Sequence, residues 1–175
     1  MTEGSVLVHG SANRVDVVAV AVEKAGFTAL RANNLDDVAA VLADRGQGPL
    51  VGYIQLPVEI GFRPDAGSIE QVHQFLADGL LARIDSARIV VPALADGAGV
   101  VLAAGNAPDA DSTPDNRAAR RLLLGVLQRA ILDEAGPAGV GVAVLDVGAT
   151  ADEVAAALGE LTENRTGSAA ASAEA

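Results

Sequence analysis

Short apolar runs and amphipathic stretches alternate along this chain. Val6-Leu7-Val8 is a continuous apolar run, the pattern of a strand covered on both faces. Residues 14–25, rich in Val and Ala, predict a helix, with Gly26 as its C-cap. A second strand follows at 27–30. Asn33 or Asn34 caps the next helix, and Asp36 and Asp37 in its first turn suit the helix dipole. That helix is expected to run to about Arg45 and stop at Gly46. Leu50 to Leu56 is the third strand. A loop at 58–67 is marked by Gly61, Pro64 and Gly67. Ser68 and Gln71 fit a capping box for a helix over 69–83. Arg88 to Val91 is expected as the fourth strand, and residues 100–104 as a short strand or part of a buried loop. Thr113-Pro114 opens the longest helix, to about Glu134, with proline at its first position. Gly139 to Asp146 is a further strand. Thr150 and Glu153 form a capping box for a last helix to about Leu161.

This alternation predicts the α/β class: an open parallel sheet with helices on both faces, three layers α/β/α. The expected order is Rossmann-like with the first strand central. Residues 1–162 make a single domain. Residues 163–175, polar, small and alanine-rich, are expected to be a disordered tail.

Composition narrows the chemistry. The 175 residues suffice for one core, and with 2% aromatics that core is built from Ala, Val, Leu and Ile. A net charge of −11 opposes binding to nucleic acid or to an anionic membrane, which need clustered Lys and Arg. The absence of cysteine removes thiol catalysis, disulfides and Cys-rich zinc sites. No apolar run has the roughly 18 residues of a membrane span. A cytoplasmic protein is expected.

Few residues make a recognisable site. His9 stands at the carboxyl end of the first strand, where open α/β sheets bind ligands. His73, the other histidine, falls on a helix face and gives no metal-ligand spacing with it. Asp109, Asp111 and Asp115 do not make an EF-hand calcium loop, because Pro114 and Arg120 occupy its glycine and glutamate positions. They are read as solvated, and no metal is expected. A phospho-receiver is excluded too, since His9 and Gly10 stand where its acidic pair follows the first strand.

The segment 116–135 followed by Gly139 to Val144 resembles the catalytic helix and following strand of the short-chain dehydrogenase/reductase family. Ala87 to Val91 is similar to the strand before that family's catalytic serine, and Asn34 to Gln55 to the stretch entering its Asn-Asn-Ala-Gly strand end. The likeness spans most of residues 5–150, and one strand–helix unit and the substrate-binding segment are missing. It implies a Rossmann-type fold, a nicotinamide cofactor and hydride transfer, and four features test that implication. The family's glycine-rich loop maps onto His9, Gly10, Arg14 and Asp16, so two of its three glycines are lost. Asp16 near a phosphate at ~4 Å costs about 4 kcal/mol at an effective dielectric of about 20. Alternatively Asn13 or Asp16 simply caps the first helix. The Tyr-x-x-x-Lys pair maps onto Asn116 and Arg120, and Asn116 cannot be a titrating acid. The only tyrosine, Tyr53, is expected in the core. The catalytic serine maps near Leu94; Ser86 and Ser112 are out of place. The strand end becomes Tyr53 to Pro57, where Gln55 keeps one hydrogen-bonding role.

The reading is a truncated, non-catalytic member-like subunit with no catalytic, cofactor-binding or metal residues and no cofactor. It pairs as a homodimer, or as a hetero-oligomer with an active relative that it supports, through helices 69–83 and 114–134. On the long helix, Ala119, Leu122, Leu123, Val126, Leu127, Ala130 and Ile131 are taken as the sheet-facing stripe, with Leu124 off it. The alternatives are an NAD(P)-dependent oxidoreductase with atypical residues, or a small-molecule sensor with a pocket around His9, Gln55 and Ala93.

Overall fold

A computed structural model describes residues 4–44, 48–58, 60, 63, 65–105 and 114–172, with backbone alone for 114–116 and 164–172. Gly46, Gly61, Pro64, Asp109, Asp111, Ser112 and Thr113 lie outside the described residues. Five parallel strands run in the order β2-β1-β3-β4-β5. They are β1 (Ser5–His9), β2 (Thr28–Ala32), β3 (Leu50–Gln55), β4 (Leu94–Ala103) and β5 (Gly141–Leu145). The helices are α1 (Ala12–Lys24), α2 (Leu35–Asp44), α3 (Ser68–Gln74), α4 (Ala82–Val90), α5 (Pro114–Ala135) and α6 (Ala151–Ser172). A π-helical stretch, Phe75–Leu81, joins α3 to α4.

The α/β layering follows from strands that are apolar on both sides. Val6, Val8, Ile54 and Val101 face one core with Val15, Val18 and Val22 of α1 and Val154 and Leu158 of α6. Leu7, Tyr53, Val100 and Leu102 face the other, with Val38 of α2, Ala87 and Val90 of α4, and Leu124, Leu127 and Ile131 of α5. The first strand is second in the order rather than central. The chain turns one way from β1 to β2 and the other way from β3 onward, so the switch point lies between β1 and β3.

Four expectations change. Residues 88–91 are helical, the end of α4 and a 3₁₀ turn (Val91–Ala93), and the fourth strand is β4. Arg83 and Ser86 explain this, because they anchor that helix to the sheet through buried hydrogen bonds, a force that β-propensity at Ile89, Val90 and Val91 does not outweigh. The serine position of the resemblance therefore moves from Leu94 to the end of β4, at Ala104 and Gly105, which also lack a hydroxyl. Gly67, not Ser68, is the N-cap of α3, and no side chain caps it; Gln71 reaches back to the Ala66 carbonyl instead. Helix α6 continues to Ser172, past Leu161, through a proline-free, alanine-rich stretch of high helix propensity. The buried stripe of α5 is Leu124, Leu127 and Ile131, while Leu122 and Val126 are 72% and 55% exposed. Three successive leucines offered two stripes of equal spacing, and the sheet took the one on Leu124.

Other local signals hold. Asn34 caps α2 through Asp37 N–H, and Asp37 accepts from Asn33 N–H in return. Thr150 and Glu153 form the reciprocal box at α6. Gly26, with φ +93, follows the end of α1.

One row of the sheet has no side chains. Gly52 pairs with Gly99, and Gly99 with Gly141, across β3, β4 and β5. Leu158 and Leu161 of α6 sit on that row, so a Cβ on Gly99 would stand 3.0 Å from Leu158 Cδ1 and 3.1 Å from Leu161 Cβ. Gly99→Ala is expected to destabilise the fold by roughly 1–3 kcal/mol through overpacking, measured as a lower urea midpoint. Leu124→Ala is expected to cost roughly 2–5 kcal/mol; a near-neutral result in the same assay would contradict its place on the buried stripe.

Candidate functional site

The carboxyl ends of β1, β3 and β4 carry the polar residues that the core should not contain. His9 and Gln55 end neighbouring strands in register and lie in the same sheet row as Leu7 and Tyr53, on the α2/α4/α5 side. Both are buried, as are Arg83 and Ser86 of α4. Arg83 donates from Nε to Gln55 Oε1 (2.9 Å), and from Nη2 to the carbonyls of Gln55 (3.2 Å) and Ala103 (2.8 Å). The Gln55 amide lies within hydrogen-bonding reach of the Arg83 carbonyl, the Ser86 hydroxyl and the Tyr53 hydroxyl. Tyr53 donates to Ser86 Oγ at 3.1 Å, and Ser86 to the Arg83 carbonyl. One guanidinium thus ties α4 to two strand ends.

The electrostatics follow from burial. Burial lowers the His9 imidazole to about 4; the Arg83 charge lowers it further and Asp37 raises it. Burial brings Arg83 down to about 10, with Tyr53 raising it and Arg120 lowering it, so it stays a cation at neutral pH. Burial pushes the Tyr53 phenol up. Tyr53 is fully enclosed in the core and cannot reach a substrate as an acid. Arg120, on α5, lies over the Phe75 ring, 5.5 Å from its centroid.

The sequence singled out His9, Tyr53, Gln55 and Ser86, and the fold brings all four to one region. Ser86 belongs to a helix rather than preceding a strand. Ala93 lies at the other end of the sheet, just before Leu94, which pairs with Leu50 at the start of β3. It cannot share a pocket with His9 and Gln55. Arg83 was missed. Its signal was present: Gly79, Arg83, Ser86, Ala87 and Val90 share one helical stripe that is otherwise apolar or small. Asn116 and Asp115 fall in the first turn of α5, and His73 on α3 is exposed. Among the described residues, no group of three or more His, Cys, Asp or Glu could hold a metal ion.

A cleft of about 350 Å³ opens at the switch point, bordered by Arg14, Leu56, Pro57, Gly105 and Thr150. Loop β1–α1 beside it is closed by its own backbone. Gly10 N–H donates to the Ala32 carbonyl and Ser11 N–H to the Pro57 carbonyl, both at 3.2 Å. Gly10 lies so close to β3 that a Cβ would stand 2.6 Å from Leu56 Cβ. Ser11 is the N-cap of α1, where Asn13 or Asp16 was expected, and its side chain makes no capping bond. Asp16 turns aside to Arg31, 3.6 Å away, and is 75% exposed, so its expected repulsion of a phosphate at this loop is weakened by distance and water.

Solved structures share this architecture. A short-chain dehydrogenase/reductase double variant from Serratia marcescens superposes with a TM-score of 0.64 at 13% identity, over 91% of this chain and 89% of that one. BdcA from E. coli gives 0.57 at 17% identity, over 91% and 90%. BdcA in complex with NADPH gives 0.60 at 13%, over 93% and 88%. The chain has a short-chain dehydrogenase/reductase-like fold. No family model matches the sequence, and no curated protein does. The 175-residue length is consistent with a truncated version of that fold. For a dinucleotide of the kind this fold implies, the β1–α1 loop is a poor fit: two of its amides serve the sheet, and Arg14 and Asp16 replace glycines needed for close approach. Among the described residues, no helix of this short-chain dehydrogenase-like fold is long and apolar enough to cross a membrane.

His9 gives the region a pH signature. An unfolded histidine takes up its proton near 6.5, whereas the folded one resists until about 4. Stability is therefore full above pH ~6.5 and is lost as pH falls through the folded value, by about 3 kcal/mol from this group. His9→Gln is expected to lose correspondingly less between pH 7 and 4, measured by urea unfolding at each pH.

Proposed function

We propose that this chain is a non-catalytic subunit of short-chain dehydrogenase-like fold that assembles through its 68–90 and α5 helices. A second copy of the chain is the expected occupant; an active relative is the alternative partner, whose site the subunit would support. The observation that carries this reading is the apolar surface left on these helices. Ile69, Val72 and Leu76 repeat at helical spacing and are 88%, 57% and 45% exposed, and Leu122 and Val126 of α5 stand outward. Large apolar side chains repeated on one helix face mark an interaction surface more than solitary ones do. Charge supports a second copy: α5 exposes Arg117 and Arg129, and the other segment exposes Asp78. A two-fold pairing sets such helices against each other.

The missing chemistry supports the same reading. Asn116 and Arg120 stand where the family's Tyr and Lys would, Ala104 and Gly105 supply no serine hydroxyl, and Tyr53 is buried. The expected result is a dimer in sedimentation equilibrium, with Val72→Glu or Leu122→Glu weakening self-association at least about 100-fold (~2.7 kcal/mol). A monomer at every concentration, with no relative of this fold co-purifying, would overturn the proposal.

A further inference from the structure

The strand-end cluster holds more positive charge than the fold consumes. Arg83 is 2% exposed, and its hydrogen bonds leave from Nε and Nη2 only. Among the described residues Nη1 has no hydrogen-bond partner, and no carboxylate forms an ion pair with this guanidinium. His9 is equally buried, and its Nδ1 has no partner. Arg120 adds a second cation nearby, its Nη1 3.4 Å from where a Cβ on Gly105 would stand. Gly105 also borders the 350 Å³ cleft, which gives the cluster a route to solvent.

A buried cation without a counter-charge is costly, and a like charge beside it adds to the cost. A buried ring nitrogen without a partner is a second unmet demand, on the same face of the sheet. An acceptor-only group answers both. Carboxylate and phosphate oxygens match the planar guanidinium fork, and a neutral imidazole donates to them in the tautomer protonated at Nδ1. The switch point of an open α/β sheet is also where such folds bind ligands. We propose that His9, Arg83 and Arg120 bind a small oxyanion, the carboxylate or phosphate group of a ligand entering by the cleft. Arg83 Nη1 and His9 Nδ1 donate to it, and Arg120 supplies charge. This site is independent of the assembly surface and requires no reaction.

The chain has two histidines, which makes the test direct. The full-length protein is titrated with inorganic phosphate and, separately, with acetate, while the imidazole NMR signals are followed. The His9 signals are expected to shift and saturate, with His73 unmoved. Saturation by phosphate alone assigns a phosphate group, by acetate alone a carboxylate, and by both the shared oxyanion chemistry. Because Arg83→Met removes a structural tie and may unfold the chain, the variants are Arg120→Gln and His9→Gln, with folding verified by circular dichroism. Each is expected to weaken binding about tenfold or more (~1.4 kcal/mol) by calorimetry. His9 signals that stay fixed, or drift together with those of His73, up to about 10 mM anion would overturn the proposal. Unchanged affinity in both variants would do the same.

Discussion

The glycine row across β3, β4 and β5 is the constraint on which the rest of this fold depends. Gly52, Gly99 and Gly141 remove three side chains from adjacent positions, and Leu158 and Leu161 of α6 fill the trough. A core with 2% aromatics has no large rings to span a gap between helix and sheet. Close approach replaces bulk: aliphatic side chains laid directly on backbone give the dense packing that interiors require. With α6 seated there, the α1/α6 side is closed, and the opposite face is left to α2, α4 and α5.

The strand ends obey a different rule. Gly10 allows β1 to turn against Leu56, and the amides of Gly10 and Ser11 close onto neighbouring carbonyls. Arg83 binds α4 to the carbonyls that end β3 and β4. In a dinucleotide enzyme this region is kept open for a pyrophosphate. Here much of its hydrogen-bonding capacity holds the fold together, while a compact cluster of positive charge remains. The scaffold of an oxidoreductase can thus persist where the groups for hydride transfer do not, since fold and function are separable.

The outward stripes on α3, its π-helical continuation and α5 fit that separation. The π-helical stretch carries both a buried and an exposed apolar side: Phe75, Gly79 and Leu80 turn inward while Leu76 and Leu81 face out. Gly79 lies close under Ile60, where a Cβ would stand 2.5 Å from its Cδ1. An apolar pattern wider than one helix face needs is the reason the sequence stripe on α5 was placed one residue off. Leu122, Leu123 and Leu124 satisfy helical spacing equally well, and only the position of β5 selects Leu124.

The sequence by itself determined what local chemistry controls. Continuous apolar runs gave β1, β2, β3 and β5, the boxes at Asn34 and Thr150 started α2 and α6, and Gly26 followed α1. The loss of the Tyr, Lys, Ser and Gly positions was also visible there, because each is a matter of residue identity. Tertiary structure decided everything that depends on residues distant in the chain. Residues 88–91 have strand-like composition, yet Arg83 and Ser86 hold them in a helix through partners roughly 30 residues earlier. Leu94 gave up the serine position once β4 was seen to end at Ala103. Gly10, which in sequence marks a nucleotide loop, is in the fold a point of contact with Leu56. The glycine row exists only when β3, β4 and β5 pair in register, because a missing Cβ has a meaning only once it is known what would otherwise collide with it.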